Sequence, residues 1–389
     1  MLFTKTEYKE RLINVQTEMQ KKEIDLLISS DPANMNYLSG YDAHSFYMPQ
    51  CLLIHINEEE PICFVREQDA GGAFIKTYLN EKNIIKYPEK YIHTPPAHPY
   101  EFLVKIIKDR KWDNLSIGLE KDCHYFTATC CEKIVSGLPN ARIKDAEFLV
   151  NWVRCIKSDT EIELMRAAAK IVEKGMKSAI NHIKPGVRQC EAVAEIQKSL
   201  ISGTSQFGGD YAGIVPMLPT GKGTSASHLT WTEEKFIKGE ATIIELAGVY
   251  KKYHCPMART VLLGEPDQKK IDTMKATNEA LDAGISEIKP GKTCDEVAQK
   301  FWKILDKYGI KKSSRTGYSI GIGYPPDWGE HTLNIQKGDK TILQPNVTFH
   351  MIAVMQFGNW GVESSEAIRV TEKGYELFCK FSRELHIKG

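Results

Sequence analysis

Glu245 interrupts the strand-like apolar run Ala241-Thr-Ile-Ile-Glu-Leu-Ala. A carboxylate in such a run is costly to bury unless a partner compensates it or a reaction uses it. A used carboxylate would act as a nucleophile or general base; a compensated one would be an ion pair, and Arg259 is the nearby candidate. His228, in the polar stretch Thr224-Ser-Ala-Ser-His, and His254, just before Arg259-Thr260, flank Glu245 in sequence. Imidazole changes charge near neutral pH and can move one proton, although a single histidine is more often structural.

The 389 residues suggest two or three domains, and 42% hydrophobic with 26% charged residues suits a packed globular core. A formal charge of +1 with scattered Lys and Arg argues against nucleic acid or membrane as a partner. The start, Met1-Leu-Phe-Thr-Lys-Thr-Glu-Tyr, lacks a signal-peptide apolar core, and no apolar run has the length of a membrane span. The 10 cysteines are dispersed without Cys-x-x-Cys, so free, mostly buried thiols and a cytoplasmic location are expected.

The elements that must position these residues follow from periodicity. Tyr8, Leu12, Val15 and Met19 predict a helix over residues 4–23. Strands are expected at Asp25-Leu-Leu-Ile-Ser-Ser, ending in the turn Asp31-Pro-Ala-Asn, and at Cys51-Leu-Leu-Ile-His-Ile, Ile62-Cys-Phe-Val, Leu115-Ser-Ile-Gly-Leu and Ala141-Arg-Ile. Helices are expected near 100–109 and 123–135. This alternation predicts an α/β domain over residues 1–150. Beyond it, Ser158-Asp-Thr-Glu161 is a capping box for a helix reaching about His182, stopped by Lys184-Pro-Gly186. Ile183-Lys-Pro-Gly-Val-Arg-Gln-Cys-Glu-Ala-Val-Ala returns 105 residues later as Ile288-Lys-Pro-Gly-Lys-Thr-Cys-Asp-Glu-Val-Ala. Two copies at that separation predict a pseudo-twofold domain over 151–389, not a solenoid. The Gly-x-Gly elements near Gly321 do not open a helix after a strand, so a nucleotide site is a weak reading.

The ordered set of the doubled helix–Lys-Pro-Gly–helix, the His228 turn, the strand ending in Arg259-Thr260, and Thr316-Gly-Tyr-Ser-Ile-Gly resembles the pita-bread family of creatinase, prolidase and methionine aminopeptidase. The resemblance spans the chain and implies an N-terminal creatinase-like α/β domain followed by a pseudo-symmetric pita-bread α/β domain that carries the site. Peptidases of this family hold two metal ions with two Asp, one His and two Glu. Carried over by position, these ligands fall on Glu245, Pro256, Tyr318, Ile352 and Ser365. Such a set leaves one carboxylate where several are needed, which implies a metal-free enzyme without a cofactor. Within the family, the likeness is closer to the ectoine-hydrolase branch, with creatinase next. It rests on Phe207-Gly-Gly-Asp-Tyr-Ala, Ser227-His-Leu-Thr-Trp, Tyr253-His-Cys-Pro-Met-Ala-Arg-Thr and Tyr324-Pro-Pro-Asp-Trp-Gly-Glu, joined by Gln68-Asp-Ala-Gly and by the Asp31-Pro-Ala-Asn stretch. Ser227 and Gln344-Pro-Asn depart from the branch pattern beside the presumed site.

The resemblance implies a C–N hydrolase acting on a small cyclic amidine, with Glu245 as nucleophile or base and His228 as proton carrier. Asp210, Glu330 and Glu363 are candidate carboxylates for the amidinium, although salt bridging or capping explains them equally well. Tyr318 is a candidate hydrogen-bond donor, while His254 and His350 are weaker contacts; His350 lies in an apolar strand and suits a core position as well. By resemblance to creatinase-like homodimers, Phe46, Tyr47 and Gln50 would cover the neighbouring subunit's site. Phe46 or Trp328 against a cationic ring would contribute about 1 kcal/mol, and Arg66 is a possible partner for a substrate carboxylate. Rival readings are a creatinase-type enzyme for another amidine or guanidine, and a retired scaffold that only binds.

Overall fold

The computed structural model describes residues 1–265 and 267–389. The chain divides into two compact units, Met1–Arg154 and Cys155–Gly389.

In the first unit, six strands are introduced in chain order: β1 Leu26–Ser29, β2 Cys51–His55, β3 Ile62–Arg66, β4 Ile84–Tyr87, β5 Ser116–Leu119 and β6 Arg142–Asp145. They form a mixed sheet in the order β4-β3-β2-β1-β5-β6. Strands β1 and β5 are parallel while β1 and β2 are antiparallel, with Leu26 opposite His55. The helices are α1 Lys5–Lys21, α2 Pro32–Ser39, α3 Ala70–Lys76, α4 Pro99–Asp109, α5 Ala128–Gly137 and α6 Leu149–Arg154. Leu26, Ile28, Leu53, Phe64, Ile117 and Leu119 bury one core with Leu103, Ile107 and Ile134 of α4 and α5.

Two local expectations are corrected. Asp31-Pro-Ala-Asn is a helix start: Asp31 accepts from Ala33 N–H, and Pro32 opens α2, where a missing N–H costs nothing. The junction is tied to buried Glu120, which accepts from Ser29 Oγ, Ser30 N, Asp31 N and Asn34 Nδ2. Helix α5 begins at Ala128 because Thr127 caps it, accepting from Cys130 N–H, so residues 123–127 stay outside.

The second unit contains the helices α7 Asp159–His182, α8 Gln189–Ser202, α9 Gln268–Ser286 and α10 Cys294–Lys307. Its long strands are β7 Ala241–Tyr250, β8 Tyr253–Leu263, β9 Gly317–Tyr324, β10 Asp327–Asn334, β11 Thr348–Phe357 and β12 Trp360–Val370, with short β13 Tyr375–Leu377 and β14 His386–Lys388. The capping box at Ser158 and Glu161 opens α7 as expected.

The internal echo holds at the level of backbone hydrogen bonds. Gly186 and Gly291 have φ of +86° and +85°, a region that favours glycine. Each donates its N–H across to a returning chain, to Phe236 O at 2.9 Å and Leu343 O at 3.0 Å. The following helix starts three residues after each glycine, at Gln189 and at Cys294. The glycines therefore set the register, and Cys190 and Cys294 are not equivalent. The 10 cysteines are all free thiols, and Cys51, Cys63, Cys130, Cys155, Cys255, Cys294 and Cys379 are buried.

Strand β7 lies directly on α7. A Cβ on Gly248 would meet Ala168 O at 2.1 Å and Val172 N at 2.4 Å, both backbone atoms that cannot give way. Gly248→Ala is therefore expected to destabilise the chain by at least ~2 kcal/mol, read as a lowered urea midpoint.

Candidate active site

Strand pairing decides which side chains share a face. Glu245 on β7 stands opposite Ala258 on β8, and its own N–H and C=O pair with Met217 on the other side. Side chains alternate along a strand, so Arg259 points away from Ala258 and Glu245. Its guanidinium bonds Glu366 Oε1 at 2.9 Å, with Ser365 O, Phe381 O and Ser382 O as further acceptors. The ion pair considered for Glu245 is thus committed elsewhere.

Strand β12 packs across β8 through side-chain bonds. Thr260 Oγ1 receives the N–H of Glu363 at 2.8 Å and donates to its carbonyl at 2.9 Å. Ala258 N–H donates to Ser365 Oγ at 2.7 Å. This clamp carries Glu363 and Ser365 on the strand beside the one that faces Glu245.

Among the described residues, no hydrogen bond or ion pair reaches the buried Glu245 carboxyl. Burial, then the charges of Glu363 and Asp327, push its pKa well above the ordinary value. Burial raises the Glu363 carboxyl to about 7, while Lys312 pulls it down. Lys312 is lowered to about 8 by burial against the pull of Glu363. Burial opposes ionisation of Asp327, but His331 and the amides of Trp328 and Gly329 outweigh it and hold the carboxyl at about 2. Lys312 thus faces Glu363 and His331 pairs with Asp327, while among the described residues Glu245 has no ion pair of its own.

The other candidates fall into distinct places. Tyr318 Oη lies 3.1 Å from His350 Nδ1 and receives the Trp328 indole N–H at 2.8 Å; His350 Nε2 lies 2.6 Å from Ser365 Oγ. His350 is corrected from substrate contact to buried linker, since both nitrogens are engaged and burial, then Arg259, lower its pKa to about 3. Trp328 is likewise corrected: it is fully buried, so its ring is not a face for a cationic substrate.

His254 is also structural, donating from Nδ1 to Lys252 O at 2.8 Å and accepting Gly213 N–H at Nε2 at 2.8 Å. Burial lowers it to about 4, so it stays neutral. Glu330 is sealed in an ion pair with Lys157 at 2.6 Å, each side chain 1% exposed, and does not hold a substrate cation. Asp210 is paired with Lys252 at 2.6 Å, which cancels its charge for a ligand. The glycines of β9 serve these contacts: a Cβ on Gly321 would strike Glu330 Oε1 at 2.4 Å, and one on Gly323 would press His254 at 3.0 Å. That close approach accounts for the Gly-x-Gly pattern.

His228 sits in an exposed turn with φ of +63°. The neighbouring Ser227 Oγ bonds Gln356 Oε1 at 3.3 Å, so the turn lies at the end of the β11–β12 hairpin that carries Glu363. In the first unit, Tyr47 is exposed and Phe46 packs edge-on against His44 and Tyr125. Gln50 is corrected from a covering residue to a buried one, its Oε1 accepting from Ser45 Oγ at 2.8 Å. Arg66 is engaged by Glu89 through two bonds of 2.8 and 2.6 Å.

The five positions expected from the metallopeptidases were tested for a metal donor set. Pro256 faces Ala247 across the ladder, and Ile352 faces Ser365. Tyr318 and Ser365 are engaged with His350. Among the described residues, no group of three or more His, Cys, Asp and Glu could hold a metal ion. These residues do not fit a dinuclear site, which needs several carboxylates to bridge its ions.

Sequence reasoning missed Lys312, Asp327 and Lys157. Lys312 is one of two adjacent lysines in Ile310-Lys-Lys-Ser-Ser, and nothing in that stretch marks it as the one near Glu363. Asp327 lies in the quoted stretch Tyr324-Pro-Pro-Asp-Trp-Gly-Glu, but its pairing with His331 goes with the irregular register of β10 against β9, which spacing does not reveal.

A carboxyl raised in the folded state binds its proton more tightly there than in the unfolded chain. The Glu363 contribution to stability should therefore fall as pH rises from the ordinary 4.5 to about 7, and level off above. Glu363→Gln should remove that fall, seen by comparing urea unfolding of the two proteins from pH 4.5 to 8.

Residues 11–156 match the creatinase/prolidase N-terminal domain, and residues 163–372 match the metallopeptidase family M24. The chain is 44% identical to the ectoine hydrolase of Halomonas elongata, covering 99% of this chain and 98% of that one. It is 38% identical to the uncharacterized hydrolase/peptidase y4tM of Sinorhizobium fredii, over 99% and 98% of the two chains. The fold is that of dipeptidase PepE from Mycobacterium ulcerans, with TM-score 0.83 at 16% identity over 99% of both chains. The prolidase of Pyrococcus horikoshii gives 0.81 at 19% identity, over 97% and 99%. The chain therefore belongs to the M24 pita-bread family, in its two-domain creatinase/prolidase form.

Proposed function

We propose that this chain hydrolyses ectoine, a small cyclic amidine carrying a carboxylate, to N-acetyl-2,4-diaminobutyrate without a metal ion. The observation that carries the reading is Glu245, buried, without an ion pair among the described residues, and beside the further acids Glu363 and Asp327. Such a face favours a cation, and an amidinium is a cation whose central carbon is electrophilic. The kinship with the Halomonas elongata enzyme supports the choice of ectoine. The lack of a fitting metal donor set supports activation by the substrate's own charge.

An amidinium between Glu245 and Glu363 offsets the burial that keeps both protonated and, at Glu245, the charge of Glu363, so binding itself ionises the attacking group. Ionised Glu245 then takes a proton from a water that attacks the amidine carbon, or attacks that carbon itself to form a bond that water later breaks, its oxygen replacing the carboxylate. One ring C–N bond breaks, its nitrogen gains a proton, and the other nitrogen remains as the acetylated amide. His228, in the exposed turn near the β11–β12 hairpin, is the carrier proposed for proton exchange with solvent. For the substrate carboxylate, Arg315 replaces Arg66 as the favoured partner: it is exposed, its guanidinium stands 4.7 Å over the Tyr318 ring, and it bonds the neutral Asn334 amide oxygen where Arg66 is held by a carboxylate. A cytoplasmic homodimer, with Phe46 and Tyr47 of a second copy covering the site, completes the proposal.

Proton NMR of chelator-treated protein mixed with ectoine should show conversion to the acetylated diaminobutyrate, and Glu245→Gln should reduce the rate by at least ~10³-fold. An unchanged ectoine spectrum with creatine consumed would move the assignment to a creatinase-type reaction, and metal-restored turnover would overturn metal independence. Binding should also release protons. Calorimetry of ectoine binding to slowly turning Glu245→Gln near pH 7, in buffers of different ionisation enthalpy, should show proton release from Glu363 that disappears in the Glu245→Gln/Glu363→Gln double variant.

A further inference from the structure

Four hydrogen bonds join Trp328, Tyr318, His350, Ser365 and Ala258 into one chain. The two ends of this chain can only donate: the Trp328 indole N–H to Tyr318 Oη, and the Ala258 amide to Ser365 Oγ. Neutral His350 between the two hydroxyls carries a proton on one ring nitrogen.

If that proton is on Nε2, His350 donates to Ser365 and Tyr318 donates to Nδ1. The Ser365 hydroxyl proton is then left over, in a fully buried residue with no further partner among the described residues. A buried donor left unpaired loses its hydration without compensation. If the proton is on Nδ1, His350 donates to Tyr318 and Ser365 donates to Nε2. The Ser365 proton is then used, and the one left over belongs to the Tyr318 hydroxyl, which lies near the acids Glu245 and Asp327 that can accept it.

We propose that His350 is held as the Nδ1–H tautomer, and that Tyr318, accepting from both His350 and Trp328, is the catalytic residue that turns its free hydroxyl proton toward the reacting amidine. Ser365, His350 and Trp328 are positioning residues. The assignment of Tyr318 to the reaction rests on the proposed amidine hydrolysis; the tautomer does not.

The donor acts at one stage of the reaction. In an amidinium both nitrogens share their lone pairs with the central carbon, so neither accepts a hydrogen bond. Once oxygen has added to that carbon, the lone pairs return to the nitrogens, and the departing one accepts from Tyr318. Tyr318 then contributes in the transition state and not in the ground state. Its phenol is kept protonated by burial and by the nearby Glu245, which suits a donor.

Tyr318→Phe, which keeps the ring, should lower kcat on ectoine by ~10²-fold with KM changed less than ~3-fold. His350→Asn places an amide N–H where Nδ1 stands and should retain more than ~10-fold higher kcat than His350→Leu, with comparable melting temperatures. Independently of substrate, ¹⁵N-histidine NMR should show the resonance lost in His350→Leu as protonated at Nδ1 and unprotonated at Nε2. A resonance protonated at Nε2, or a Tyr318→Phe loss confined to KM, would overturn the proposal. The Nδ1–H tautomer in a protein that leaves ectoine untouched would instead overturn the functional reading and support the tautomer assignment.

Discussion

The site depends on one constraint: the Glu245 carboxyl is kept out of water on an apolar strand while the cations of its surroundings are assigned to other acids. Arg259 goes to Glu366, Lys157 to Glu330, Lys252 to Asp210, and Lys312 faces Glu363. Pairing a buried charge relieves its desolvation penalty, and leaving one unpaired forces it toward its neutral form. Ordinary core design would have placed Arg259 on Glu245. Strand alternation prevents that, because the residue opposite Glu245 is Ala258 and its successor faces away.

Several polar groups in the interior of the second unit are fully paired. His254 and His350 use both ring nitrogens. Thr260 satisfies both backbone groups of Glu363. Ser364 Oγ and Glu366 Oε2 on β12 are left unpaired, and among the described residues no hydrogen bond or ion pair reaches the Glu245 carboxyl. Residues that break local rules without compensation are the expected marks of function in a fold that follows those rules elsewhere.

Kinship with prolidases shows how far a scaffold outlasts its chemistry. At 16–19% identity the fold remains superposable over nearly the whole chain, yet the positions expected to carry ligands hold Pro256, Tyr318, Ile352 and Ser365. Tyr318 and Ser365 are knitted together through His350, so they form a connected polar replacement, not a set of empty substitutions. Fold likeness therefore speaks for the architecture, and the activity has to be argued from the side chains.

The sequence by itself determined the alternating first unit, the capping box of α7, the doubled helix–Lys-Pro-Gly–helix and the placing of Glu245 in an apolar strand, because each is written in local periodicity, caps or an anomalous charge. It misread Asp31-Pro-Ala-Asn as a turn, where the same residues cap and open α2. It had no means of dividing acids between function and structure. Glu330 and Glu363 are alike as sequence, yet one is sealed against Lys157, 173 positions away, and the other lies beside Glu245. Such assignments are made by strand register and by contacts distant in sequence, which only the tertiary structure decides.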